Sequence, residues 1–265
     1  MRRLPRIALA MALVVICCML SGCYGWSLLF DGHGTGLRTR LRGDGNIATT
    51  TQTLDAQSYT LNIEDIAFDV GLIHGRETAS ITADPSLARE VIIESDQNVL
   101  DTIEISVTGD KIRIKGNPRT RYDYTKMNII IGADISEIYV QGGFEMALNQ
   151  PNISTFSLTA DGALSGDMTF GTLDSLDMII NGAGSLTLKG ECQDMSAMIN
   201  GAASLYGYAL ICDSVSVRMN GAGSSEVYAV SKLTAAINGV GSLTYDGPVQ
   251  DVDRRIAGIG SIKHK

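Results

Sequence analysis

The chain has 265 residues, 45% of them hydrophobic, with 29 glycines, five cysteines and a formal net charge of −8. That is enough apolar material for one core plus short extensions, and the acidic balance argues against a nucleic-acid partner held through its phosphates. His33, His74 and His264 lie far apart without metal-ligand spacing, so neither a metal site nor a cofactor is expected.

Residues 1–22 read as a targeting segment: Arg2, Arg3 and Arg6 precede an apolar run from Ile7 to Leu20. The run ends in Leu20-Ser21-Gly22-Cys23, which resembles a bacterial lipobox, so Cys23 is expected to be acylated and to become the first residue of a lipoprotein. Removing residues 1–22 takes away three arginines and no acid, leaving 18 basic against 29 acidic residues and a net charge of −11. Such a chain would be held at a membrane by lipid alone, facing outside the cytoplasm in the cell envelope. Residues 23–61 read as the lipidated cysteine and a tether, with Trp26, Leu28, Leu29 and Phe30 free to lie at the membrane interface or to pack on the domain. Arg42-Gly43-Asp44 spells an integrin-recognition tripeptide; the plainer reading of three residues is a polar turn.

From residue 62 to 130 the alternation is that of strands with irregular spacing. Ile66, Phe68 and Val70 alternate with polar residues, as do Ile103, Ile105 and Val107, then Ile112 and Ile114, then Met127, Ile129 and Ile131. Residues 84–90 suggest a single helical turn or a loop. Lys111, Arg113 and Lys115 share the outward face of one strand, with Arg119, Arg121, Lys126, Tyr122 and Tyr124 close by in sequence. Two readings stand: a basic patch for an anionic envelope polymer, or a solvated face that blocks edge pairing.

Residues 131–265 carry a repeat. Asn181-Gly-Ala-Gly-Ser185 recurs as Asn200-Gly-Ala-Ala-Ser204, Asn220-Gly-Ala-Gly-Ser224, Asn238-Gly-Val-Gly-Ser242 and Ala257-Gly-Ile-Gly-Ser261, with starts 19, 20, 18 and 19 residues apart. Before each Asn stands an apolar trio with period two: Leu176, Met178, Ile180; Met195, Ala197, Ile199; Val215, Val217, Met219; Leu233, Ala235, Ile237. Each trio is one face of a half-buried strand. Asn-Gly then turns the chain with a positive φ. A hairpin array could use this unit, but a stacked array suits a fixed period better. The expected fold is therefore all-β: a right-handed, single-stranded parallel β-helix (β-solenoid) with coils of about 20 residues, irregular over 62–130 and regular over 131–265. Asn181, Asn200, Asn220 and Asn238 would form a structural turn ladder. Arg254, in a slot that is apolar earlier, would help blunt the last coil.

These phrases, with the segments at 68–75 and 110–114, resemble the head GIN domain of auto-transporter adhesins over about residues 62–265. The resemblance implies a β-helical bacterial envelope domain and brings no catalytic residues with it.

Cys192 and Cys212 each stand eight residues before an Asn, in adjacent repeats. In-register parallel neighbours are about 4.8 Å apart, so a disulfide fits; two small buried hydrophobes fit as well. Catalysis finds little support. The repeat serines lack the strand-to-helix elbow of a nucleophile, and the glycines lack the helix of a phosphate loop. The function expected is a non-catalytic, adhesin-like surface for an envelope polymer, glycan or surface protein. The alternatives are an accessory partner of a membrane signalling protein and, with Asp161, Asp177 and Asp194 along a face, a carbohydrate-active enzyme.

Overall fold

Alternating apolar and polar side chains become strand almost throughout. The computed structural model describes residues 39–66 and 79–265. The signal segment 1–22, the lipidated Cys23, the apolar residues 26–30 and the strand at 68–75 fall wholly or largely outside the described residues.

In chain order the strands are β1 Thr39–Arg42, β2 Ile47–Thr53, β3 Ser58–Glu64, β4 Ser80–Ala83 and β5 Glu90–Asp96. A single turn of helix follows, α1 Gln97–Leu100. Then come β6 Glu104–Thr108, β7 Lys111–Lys115, β8 Thr120–Asp123 and β9 Met127–Ile131. The long strands close the chain: β10 Asp134–Gln150, β11 Thr155–Asp246 and β12 Asp251–His264. Residues 39–61, expected as tether, therefore hold β1, β2 and the start of β3. Residues 84–90 are loop leading into β5, and the helical turn lies a few residues later.

The regular part pairs in parallel. β10 lies along β11 with Glu137 opposite Ser157 and Gln150 opposite Phe170, and β11 lies along β12 with Lys232 opposite Asp251 and Tyr245 opposite His264. The four apolar trios before the Asn-Gly phrases are all buried. Each fully buried aliphatic side chain among them contributes roughly 1.5–3 kcal/mol.

At each Asn-Gly corner a glycine stands on a glycine. Gly201 and Gly221 have φ of 148° and 155°, a region that side chains avoid. A Cβ on Gly221 would lie 2.0 Å from the carbonyl oxygen of Gly201, and one on Gly201 2.0 Å from that of Gly182. The positive φ expected at Asn-Gly is present, but the backbone stays in strand through the corner rather than closing a tight turn.

The expected right-handed, single-stranded parallel β-helix of 20-residue coils is not the fold. All-β holds, but the sheet is mixed. β2 pairs antiparallel with β5, β5 antiparallel with β9, and β6 antiparallel with β7, all within the sheet that contains β10 and β11. The result is a nearly closed, barrel-like mixed sheet. The cause is local. The Asn-Gly-x-Gly-Ser phrase is absent before the long strands, so nothing there imposes a stacked corner. Instead Gly109-Asp110 joins β6 to β7 as a two-residue hairpin loop, with Thr108 opposite Lys111. Gly109 at φ 59° supplies the positive first position that a type II′ turn requires.

Candidate binding cleft

A cleft of about 560 Å³ opens where β3 and β10 begin, lined by Ser58, Arg89, Asp134, Ser136, Asn152 and Ser154 among others. Asp134 and Ser58 are direct parallel neighbours at the first rung of that pairing. The register then slips between Ile135 and Glu137, leaving Ser136 as the extra residue of a bulge. A bulge bends its strand and re-aims a side chain. Beside it, buried Gln150 supplies a partner for one backbone amide and ties it to the end of β4. Gln150 Oε1 accepts from the Ile135 amide at 2.7 Å, and its Nε2 donates to the Ala83 carbonyl at 3.1 Å.

Two polar atoms in this cleft are buried without a hydrogen-bond partner among the described residues: Ser58 Oγ and Asp134 Oδ1. The other carboxylate oxygen of Asp134 accepts from Asn152 Nδ2 at 3.4 Å. Arg89 is tied down by the carbonyls of Leu54 and Ala56. Arg89 and Asp134 are the only charges among the lining side chains, one of each sign. Ile153 contributes an apolar patch, and hydroxyls and amides make up the rest. An orphaned buried acceptor or hydroxyl costs about 1–3 kcal/mol, so these two groups are the least satisfied polar atoms of the cleft.

The residues singled out in the sequence fall into four groups. The asparagines form a directed column: Asn200 Nδ2 donates to Asn181 Oδ1, Asn220 to Asn200 and Asn238 to Asn220, each at 2.8 Å. Asn181 in turn donates to Asp161 Oδ1 at 2.7 Å. Cys192 and Cys212 are free and buried. Lys111, Arg113 and Lys115 line one face of β7, with Ile112 and Ile114 fully buried behind them. That face is neutralised more than its sequence suggests. Arg113 pairs with Glu64 at 2.8 Å, which holds the Glu64 carboxyl below its ordinary value, and Lys115 lies opposite both Glu64 and Glu104. Tyr122 and Tyr124 are buried, so they offer no aromatic surface there. Lys126 pairs with Glu94 at 3.0 Å. Arg42 and Asp44 are both exposed at the β1–β2 connection; Asn98 accepts from the Asp44 amide at 3.1 Å and donates to the Arg42 carbonyl at 2.7 Å.

The cleft itself was not read from the sequence. Its one local trace is the polar run Asn152, Ser154, Thr155, which leads from the β10–β11 connection into β11. Among the described residues no three His, Cys, Asp or Glu side chains are grouped to hold a metal, and no helix is long and apolar enough to cross a membrane.

The fold and cleft together define an all-β, repeat-built domain with a polar cleft at one end of its long strands. The family profile described as "Putative auto-transporter adhesin, head GIN domain" matches residues 73–248, and the chain belongs to that family. No curated protein matches it. Crystal structures of similar fold include one described as a putative adhesin from Bacteroides fragilis NCTC 9343, with a TM-score of 0.65, 16% identity, and 85% of this chain and 100% of that one covered. Another putative adhesin, from Parabacteroides merdae ATCC 43184, has a TM-score of 0.54 at 16% identity, covering 86% of this chain and 99% of that one. A third, from Parabacteroides distasonis ATCC 8503 and described as a putative lipid binding protein, has a TM-score of 0.55 at 16% identity, covering 86% of this chain and 100% of that one.

Proposed function

We propose that this is an adhesin-like binding protein of the bacterial cell envelope, anchored by lipid at Cys23, whose cleft holds a neutral, hydroxyl-rich segment of an envelope glycan. The observation that carries the reading is the pair of unpartnered buried groups, Ser58 Oγ and Asp134 Oδ1, beside the Ser136 bulge. Sugar hydroxyls both donate and accept, and so match a lining of hydroxyls, amides and one carboxylate. The balanced charge of Arg89 and Asp134 favours a neutral ligand over the anionic polymer that the β7 lysines suggested. The family's adhesin description and the shared fold support a binding role, and one structural neighbour's lipid-binding description finds little apolar lining here to match it.

The test is calorimetric titration of the full chain in detergent with soluble cell-wall oligosaccharides. Saturable binding that weakens about tenfold in Asp134→Asn and in Ser58→Ala is the expected result, since one hydrogen bond to a charged group is worth about 1.5–3 kcal/mol and a neutral one about 1. Absence of saturable binding by the unaltered chain would overturn the glycan reading and favour a protein partner, such as a membrane signalling protein.

A further inference from the structure

Cys192 and Cys212 occupy one slot in two successive repeats. The Asn220–Asn200 hydrogen bond sets those repeats twenty residues apart, the separation of the two cysteines themselves. They are therefore parallel neighbours, with strands about 4.8 Å apart, a spacing that a disulfide spans. Each sulfur also lies near a backbone carbonyl: Cys192 Sγ is 3.1 Å from Asp194 O, and Cys212 Sγ is 3.8 Å from Leu210 O. The two are not equivalent. Cys192 is 5% exposed, whereas Cys212 is 0% exposed.

We propose that Cys192 and Cys212 are a redox site in which Cys192 attacks an incoming disulfide and Cys212 resolves it, stapling two repeats together. The oxidant is a small-molecule disulfide of the glutathione class. In the first step the Cys192 thiolate attacks one sulfur of that disulfide; the Cys192–S bond forms, the S–S bond breaks, and one small thiolate leaves. In the second step the Cys212 thiolate attacks Cys192 Sγ; the Cys192–Cys212 bond forms and the second small thiolate departs. Each leaving thiolate takes up a proton equivalent to the one lost by a cysteine. Two protein thiols are oxidised and one small disulfide is reduced to two thiols. The contact between the thiols supports this order. Hydrogen bonding from Cys212 holds the Cys192 thiol below its ordinary value, and the same contact together with burial pushes Cys212 up.

Cleavage after Lys189 and Arg218 places both cysteines in one peptide, residues 190–218. The full chain is treated with glutathione disulfide, quenched with N-ethylmaleimide in denaturant, digested and weighed. The expected peptide carries no maleimide and has lost two hydrogens; prior reduction restores two maleimides. In Cys212→Ala the same treatment leaves glutathione on Cys192, and in Cys192→Ala it leaves Cys212 unmodified. Two maleimides on the oxidised wild-type peptide would overturn the site, a result that needs no variant to fold. Glutathione on Cys212 in Cys192→Ala would overturn the order of attack.

Discussion

Asn181 donates its amide to Asp161 Oδ1 at 2.7 Å, and this one contact sets the direction of the asparagine column above it. A carboxylate can only accept, so Asn181 must present its NH2 to Asp161 and its carbonyl oxygen to Asn200. Each later amide then has the same orientation, as far as Asn238. Tyr139 holds the other side of the carboxylate, donating its hydroxyl to Asp161 Oδ2 at 3.1 Å.

Asp161→Ala therefore removes the acceptor for both Asn181 and Tyr139. The expected cost is about 1–3 kcal/mol, read as a lower urea midpoint. Asp161→Asn keeps the shape and should cost less, because its amide can be turned to accept from Asn181. A negligible loss in Asp161→Ala would show that the carboxylate is not what orients the column, and equal losses for the two variants would show that its charge is needed as well as its oxygen.

Ala257 lies opposite Asn238, so the column stops where the phrase is worn. Ala257→Asn should extend it by one amide and stabilise the chain by about 0.5–1 kcal/mol. Ala257→Leu serves as the comparison, since it adds bulk without a donor. Thermal melts that rise equally for both variants would contradict the extension.

Gly221→Ala should be among the most damaging single changes in the repeats. It forces a side chain into an avoided φ and against the Gly201 carbonyl, for an expected loss of about 3 kcal/mol or more. A loss below about 1 kcal/mol in urea unfolding would mean that the corner can open.

Buried Asp96 makes stability depend on acid. Burial pulls its carboxyl upward, but amides from Thr125 at 2.6 Å and Gly45 at 2.7 Å outweigh that, and the net position is below the ordinary value. A lowered carboxyl contributes stability that is whole above the unfolded value near 4 and is lost as pH falls through the folded value. The unfolding free energy should fall below about pH 4, and Asp96→Asn should be less stable at pH 7 with a shallower acid slope. An unchanged slope would place the acid sensitivity elsewhere.

Arg113 is already engaged by Glu64 on an exposed face. Arg113→Ala should change stability by no more than about 1 kcal/mol and leave glycan titration at the cleft unaltered. Weakened glycan binding would return the β7 face to consideration.

The repeats were legible in the sequence because their signals are local. Period-two trios such as Leu176, Met178 and Ile180 announce the buried face, and Asn-Gly announces the corner. The antiparallel part was not, because β2 meets β5 and β5 meets β9 through pairings set by distant residues, with no phrase to mark them. One local clue went the other way from the expected β-helix: Gly109-Asp110 between two alternating runs is a hairpin loop. Tyr122 looked like surface beside lysines, but its hydroxyl accepts the Asn117 amide at 2.8 Å and the ring turns inward. The cleft depends on a bulge braced from fifteen residues away by Gln150, and alternation alone does not reveal such a brace.

The glycine corner has a consequence for how such a chain varies. Each repeat brings its own amide and its own bare corner, and each inner repeat meets both the one before it and the one after it. A side chain gained at one corner is therefore felt by the carbonyl of the repeat beneath it, so these positions cannot drift one at a time. The cleft at the start of β10 lies outside that column and is free of the constraint.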